Sequence, residues 1–251
     1  MRLPHLAQTA RAGEFAQLRC TRSSVPLLRR PFSVAWADGD ACSFVFDVVG
    51  AGTAALAALR PGDTIDVLGP LGTGFSPSPA QSAVCVAGGV GCAPFPLLVR
   101  DLAAAGVQDI VVLNGAATSS RLYPAERFDR VATGVRVIEA TDDGSRGHRG
   151  WVTDLLTAAL SEANTAVYAC GPNAMLGAVA RLLREACYVG LVEASLEAPM
   201  GCGFGTCLGC AVPVRSTADD AWALCCSDGP VFRSDEVDWD TLHRLPEAHV
   251  A

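Results

Sequence analysis

Ala83-Val84-Cys85-Val86-Ala87-Gly88-Gly89-Val90-Gly91-Cys92-Ala93-Pro94-Phe95-Pro96-Leu97-Leu98-Val99 carries no charge, and a run of this kind invites a transmembrane reading. Its three glycines and two prolines argue against one, because they would break a lone helix in lipid. A buried strand, a glycine turn and a helix explain the run better. The same alternation continues beyond it. Apolar strands at Ala83–Ala87, Asp109–Leu113, Val135–Glu139 and Ala166–Cys170 are interleaved with helical stretches at Ala93–Ala105, Thr153–Ser161 and Asn173–Ala186. Such alternation predicts βαβ units, and therefore a parallel sheet with helices on both faces.

Upstream the pattern differs. Short β-rich runs at Glu14–Cys20, Phe32–Trp36, Ser43–Val49 and Thr64–Leu68 are separated by turns such as Arg60-Pro61-Gly62-Asp63. They predict a small antiparallel β-barrel over residues 1–76. Ser76-Pro77-Ser78-Pro79 reads as a linker into an α/β nucleotide-binding domain over 80–192. A small cysteine-rich domain over 193–251 completes a multidomain β plus α/β chain.

Composition narrows the function. The 251 residues carry a formal charge of −7, without the basic footprint of a nucleic-acid-binding protein. There is no lysine, so a pyrophosphate site must use arginine or backbone amides. Met1–Phe15 lacks the apolar core of a signal peptide, and 11 cysteines then point to a reducing, cytoplasmic setting with thiols free or metal-bound. The histidines at 5, 148, 243 and 249 form no ligand pattern, and no Ser-His-Asp or paired-carboxylate arrangement supports hydrolysis.

Met200-Gly201-Cys202-Gly203-Phe204-Gly205-Thr206-Cys207-Leu208-Gly209-Cys210 holds three cysteines at C-x4-C-x2-C, answered by Cys225-Cys226-Ser227-Asp228-Gly229-Pro230. This is the plant-type spacing of a [2Fe-2S] cluster, with two thiolates on each iron. The glycines supply left-handed positions and bare amides near sulfur. A zinc ribbon would show two C-x2-C knuckles, and only Cys207 and Cys210 are so spaced. Cys225 and Cys226 point to opposite faces of an extended segment, and spacing leaves the fourth ligand open between them.

Two further motifs suggest nucleotides. Arg29-Arg30-Pro31-Phe32-Ser33 offers a guanidinium to a pyrophosphate and a polar edge to a flavin ring, and Gly50-Ala51-Gly52-Thr53 presents free amides at a helix start. A solvated charge and a plain turn are the simpler readings of each alone. Their order and spacing strengthen a flavin site. Gly88, Gly89 and Gly91 let backbone approach a dinucleotide, although the G-x-G-x-x-G fingerprint is not present. Cys170-Gly171-Pro172 falls at another strand's carboxyl edge, where Cys170 is either a wall for nicotinamide or a small buried hydrophobe. Thr153 is placed to cap a helix. Arg121 is either a partner for a 2′-phosphate or a solvated charge.

R-P-F-S, G-x-G-T, G-G-V-G-C-A-P, C-G-P and the four-cysteine segment ending C-S-D-G-P-V-F, in that order, resemble the ferredoxin-reductase-like superfamily. Within it the cysteine segment looks like that of the electron-transfer subunits of bacterial dihydroorotate dehydrogenases. The resemblance implies an FAD-binding barrel, an NAD-binding domain and a [2Fe-2S] domain. It also implies a separate FMN-containing catalytic subunit, with the two kinds of chain in a heterotetramer. Carried over by motif, Arg30, Pro31, Phe32, Ser33, Val45, Phe46, Asp47, Gly52 and Thr53 contact FAD. The resemblance takes Cys202, Cys207, Cys210 and Cys226 as cluster ligands, the cysteine before D-G-P deciding for Cys226. Two departures stand out: the family's opening strand has no counterpart ahead of Met1, and Asp47 replaces a commonly basic residue. The implied function is electron transfer from dihydroorotate to NAD⁺ in pyrimidine biosynthesis. The alternatives are a reductase subunit serving a hydrogenase, a sulfur reductase or a ferredoxin, and a zinc-stabilised interaction module.

Overall fold

The computed structural model describes residues 1–23, 25–78, 80–160, 164–215 and 221–245. Helix α1 (Pro4–Thr9) begins with proline, where no intrahelical amide is lost, and buries Leu6. Strands β1 (Phe15–Leu18), β2 (Arg30–Asp38), β3 (Ala41–Phe44) and β4 (Val67–Leu71) form an antiparallel sheet in the order β3-β2-β1-β4. Phe15 lies opposite Ser33 and Leu18 opposite Arg30, so the R-P-F-S motif runs along β1. Strand β1 is buried throughout, with Ala16 and Leu18 in one apolar cluster and Phe15 in the other.

The sheet is antiparallel, as the sequence predicts, but among the described residues no closed barrel forms. The strand expected at Ser43–Val49 leaves the ladder after Phe44, and that expected at Thr64–Leu68 enters it at Val67. Val45, Phe46 and Asp47 line a cavity instead. Val45 and Phe46 carry β-favouring side chains, yet they make a wall without pairing as a strand. Helix α2 (Ala51–Ala57) follows, and its Thr53 Oγ1 accepts from the amides of Val49 at 2.9 Å and Gly50 at 3.1 Å.

Next come β5 (Ser82–Gly88), α3 (Phe95–Ala104), β6 (Asp109–Ala116), α4 (Glu126–Asp129), β7 (Arg136–Thr141) and β8 (His148–Arg149). They are followed by α5 (Leu156–Ala159), β9 (Thr165–Cys170), α6 (Asn173–Glu185) and β10 (Val192–Ser195). Strands β11 (Ala211–Pro213) and β12 (Trp222–Leu224) form a separate hairpin, and β13 (Val231–Arg233) and α7 (Trp239–Arg244) end the described chain. The large sheet runs β13-β10-β9-β5-β6-β7-β8, parallel except for β13. Every residue of β9, and all but the last of β5, is buried, which is why these strands read as unbroken apolar runs. Helix α6 inserts Leu176, Val179 and Leu183, spaced three and four apart, into the core.

Some elements end differently from expectation. Helix α5 stops at Ala159, and Ser161, the expected end, lies outside the described residues. Thr153 does not cap: the Asp154 carboxylate does so, accepting from the Trp151 amide at 3.0 Å. The sheet also takes β10 and β13 from either end of the cysteine-rich segment, which is thereby sewn into the α/β part.

Ser76-Pro77-Ser78 is pinned rather than loose, and Pro79 lies outside the described residues. The Tyr168 hydroxyl donates to the Ser76 carbonyl and accepts from the Ser78 amide, both at 3.0 Å. The Ser76 amide donates to Glu193 at 2.9 Å, and burial pushes that carboxyl's pKa upward. Removing the hydroxyl strands two backbone groups against the sheet. Tyr168→Phe is therefore expected to cost about 1–3 kcal/mol, seen as a lower urea midpoint with an unchanged slope.

Candidate functional site

The parallel strands step outward from β5 through β6, β7 and β8, then return on its other side through β9 and β10. The order therefore reverses at β5, where an open α/β sheet leaves a crevice beyond the strands' carboxyl ends. Gly91 closes the floor of that crevice. A Cβ there would stand 2.3 Å from the Cys170 carbonyl oxygen, so no other residue fits without moving backbone.

The antiparallel sheet faces this edge, and between the two lies a cavity of about 850 Å³. Arg30, Pro31, Phe32 and Ser33 line one side, with Val45, Phe46, Asp47 and Thr53 beside them. Gly88, Gly89, Gly91, Cys170 and Gly171 line the other. Gly52 is the exception among the expected nucleotide contacts. It packs underneath, where a Cβ would meet Cys20 Sγ at 3.1 Å and Arg30 Nε at 3.5 Å.

The two adjacent arginines divide their work. Arg29 is spent on Asp66, its Nη2 2.6 Å from Oδ2, whereas Arg30 reaches the cavity while its Nη1 holds the Leu28 carbonyl at 3.0 Å. Asp47 and Arg121 form a 2.6 Å ion pair across the cavity, joining residues 74 positions apart. Arg121 thus has a carboxylate partner, which neither sequence reading supplied. Both groups are half-exposed, and such a pair contributes at most about 1 kcal/mol.

Other lining residues escaped the sequence reading. Gly115 and Ser195 sit at the ends of β6 and β10, and the carboxyl-edge rule applied to every strand points to them. Met200 and Pro230 arrive only because the cysteine segment folds back. No local pattern announces that return.

In the cysteine segment the four expected ligands fall into two pairs. Cys202 interacts with Cys207, and Cys226 with Cys210. The two pairs lie close enough for Cys202 to act on Cys226. Two pairs suit two irons. Backbone amides converge on the sulfurs: Gly205 N lies 3.1 Å from Cys226 Sγ, and Cys207 N lies 3.4 Å from Cys202 Sγ. Gly203 and Gly205, both at φ near +85°, make that loop shape accessible (φ +86 and +83). Cys225 points the other way, its Sγ donating to the Leu196 carbonyl at 3.5 Å in the core.

The amides of Phe204, Cys207 and Thr206 lower the Cys202 pKa to about 6, as convergent donors do for a developing thiolate. Cys226 goes up to about 12, chiefly through burial and then through Cys210. One more group is left over nearby. Gln17 is fully buried, and neither its Nε2 nor its Oε1 has a hydrogen-bond partner. A buried carboxamide without partners costs about 1–3 kcal/mol, which makes it a mark of a polar group to be received. The amide-lined thiol pairs and this orphan fit a sulfur-rich, negatively charged guest.

Comparison with known proteins agrees. Residues 197–238 match the iron-sulfur cluster binding domain of dihydroorotate dehydrogenase B, and residues 85–181 match the oxidoreductase NAD-binding domain. The chain is 38% identical over 241 residues to a Desulforamulus reducens protein, with 94% of this chain and 90% of that one covered. It is 42% identical over 231 residues to a Geobacillus kaustophilus protein, with 90% and 86% covered. Both relatives are named electron transfer subunit of dihydroorotate dehydrogenase B (NAD(+)). Among solved structures, an NADH-dependent reduced ferredoxin-NADP oxidoreductase studied for flavin-based electron bifurcation superimposes with a TM-score of 0.81. It is 31% identical, over 97% of this chain and 85% of that one.

The thiol asymmetry is measurable in cluster-free chain. A thiol reacts as its thiolate, so alkylation of Cys202 is expected to rise through a midpoint near pH 6 and level off by neutrality. Cys226 is expected to stay unreactive there. Peptide mapping after a timed iodoacetamide pulse at several pH values reads both.

Proposed function

This chain belongs to the family of the electron transfer subunits of NAD(+)-dependent dihydroorotate dehydrogenase B, and we propose that it carries electrons between a dihydroorotate-oxidising partner and NAD⁺. The single observation that supports this most is a cavity walled by an arginine-bearing β-strand and a glycine-floored carboxyl edge, with Met200 and Pro230, the residues that bracket the paired-cysteine segment, also on its wall. When bound, FAD exchanges electron pairs with nicotinamide and single electrons with a [2Fe-2S] cluster.

The chain's residues do the placing. Arg30 sets a guanidinium where a pyrophosphate needs a counter-charge, since lysine is absent from the sequence. Phe32, Ser33, Val45 and Phe46 supply an apolar and polar wall for a flavin ring, and Thr53 orders the amides at the start of α2. Gly88, Gly89, Gly91 and Gly171 leave room for a nicotinamide nucleotide at the switch point. Burial pushes Cys170 up to about 12, so it stands there as a neutral thiol, neither base nor nucleophile. Cys202 and Cys207 would hold one iron, and Cys210 and Cys226 the other. The units are an FAD-binding part over 1–76, an NAD-binding part over 80–192 and a cluster part over 193–251.

An FMN-containing catalytic subunit is the proposed partner, in a cytoplasmic heterotetramer. Exposed Phe204 and Leu208 flank exposed Cys207, and Trp222 on the following hairpin is half-exposed, an apolar surface of the sort a subunit covers. The similarity to a ferredoxin-NADP oxidoreductase favours one second reading, a reductase subunit serving ferredoxin. Dihydroorotate separates the two. With the FMN protein present, adding it is expected to bleach the flavin of this chain; no bleaching, with reduction by ferredoxin instead, favours the second.

Purified without air, the chain is expected to carry about two irons, two acid-labile sulfides and one flavin. Colourless protein with zinc and no iron overturns the proposal. Cys226→Ser is expected to lose most of the iron, and Cys225→Ala to keep it. Arg30→Met is expected to weaken FAD binding about tenfold or more, by loss of one charge-assisted contact, as read by flavin retention on dialysis.

A further inference from the structure

Phe15 and Gln17 share one face of β1, two residues and about 7 Å apart. Phe15 lines the cavity, whereas Gln17 lies against the cysteine loop. A Cβ on Gly203 would stand 2.6 Å from Gln17 Nε2, 2.7 Å from Cγ and 3.1 Å from Cδ, so the glycine exists at the spot where the carboxamide lies flat on the loop. The Gln17 backbone carbonyl accepts from Arg29 Nη1 at 3.5 Å, and its Cα pairs with Pro31 and Leu68. The strand is therefore fixed while the side chain's own polar atoms stay unpartnered at 0% exposure.

We propose that Gln17 is a positioning residue for the cluster, its carboxamide N–H donating to the sulfur held by the 202–210 loop and thereby coupling the cavity wall to the cluster through β1. A thiolate-rich loop offers acceptors and no side-chain donor of its own at Gly203, so the donor end of the amide faces it. Donors to cluster sulfur favour the reduced, more negative state and so raise the reduction potential. The inference rests on the cluster reading above and adds to it a residue from a different part of the chain.

The test uses full-length chain purified without air. Gln17→Leu keeps the shape and removes the donor; Gln17→Glu keeps the shape and replaces the donor with an acceptor. Gln17→Leu is expected to retain iron, sulfide and flavin while the cluster's oxidised–reduced equilibrium shifts about tenfold toward oxidised, a fall of about 59 mV for one electron. Potentiometric titration followed by electron paramagnetic resonance reads it. Gln17→Glu is expected to fall further or to lose iron. A fully loaded Gln17→Leu with an unmoved potential overturns the inference. Should the variants fail to load, wild-type chain labelled with ¹⁵N in the glutamine carboxamide decides, through a nitrogen coupling to the reduced cluster; absence of that coupling also overturns it. Wild-type chain without iron and sulfide would instead sink the cluster reading, and this inference with it.

Discussion

Residues 72–74 cross residues 229–231, and the geometry of everything functional hangs from that crossing. The Thr73 amide donates to the Gly229 carbonyl at 2.6 Å, the Val231 amide to the Thr73 carbonyl at 3.4 Å, and the Leu196 amide to the Pro230 carbonyl at 2.8 Å. Gly72 adopts φ +77, and a Cβ there would stand 2.7 Å from the Gly229 oxygen. Strand β4 has just ended, β13 is about to begin, and Cys226 lies a few residues upstream. The antiparallel sheet, the parallel sheet and the cysteine segment therefore share a few backbone hydrogen bonds. Because main chain sets their relation, the distance from cavity to sulfur does not depend on flexible side chains.

Burial then sorts the cysteines. Cys85, Cys92, Cys170 and Cys225 sit in the core, where desolvation raises each pKa and keeps the thiol neutral. These behave as small hydrophobes. The pair at Cys202 and Cys207 is the less buried one, and amides, not arginines, lower the Cys202 pKa. Hydrogen-bond donation and burial act in opposite directions on Cys202 and on Cys226, two sulfurs of the same segment. Composition reports the number of cysteines and not this division.

What the chain spells locally was legible; what it does by returning on itself was not. Strands β5, β6 and β9 announce themselves as apolar runs because they are covered on both faces. Strands β11, β12 and β13 are three residues each, and only their partners make them strands. Val45-Phe46-Asp47 carries a strand's residues but lines the cavity, since β propensity registers a half-buried extended surface and not a hydrogen-bond ladder. Most of the residues that line the cavity were readable from glycine and arginine motifs. Gly52 does not line the cavity and packs beside Cys20 and Arg30; a glycine that admits a ligand and one that admits its neighbour look alike in sequence. Gln17 left no trace, being one polar residue in an apolar run, and its meaning emerges only beside Gly203.

The absence of lysine gives the cluster loop its logic. A chain of net charge −7 that gathers four thiols must offset further negative charge, and an arginine placed among them would demand room for a planar fork and a partner of its own. Glycine-rich backbone supplies donors with no side chain at all: the amides of Phe204, Gly205, Thr206 and Cys207 all bear on the sulfurs. That solution restricts the loop to conformations with positive φ, which reach even Leu208 at φ 59, a residue type that rarely adopts them. A loop so constrained needs support from outside itself. β1 supplies it, placing Gln17 directly against Gly203.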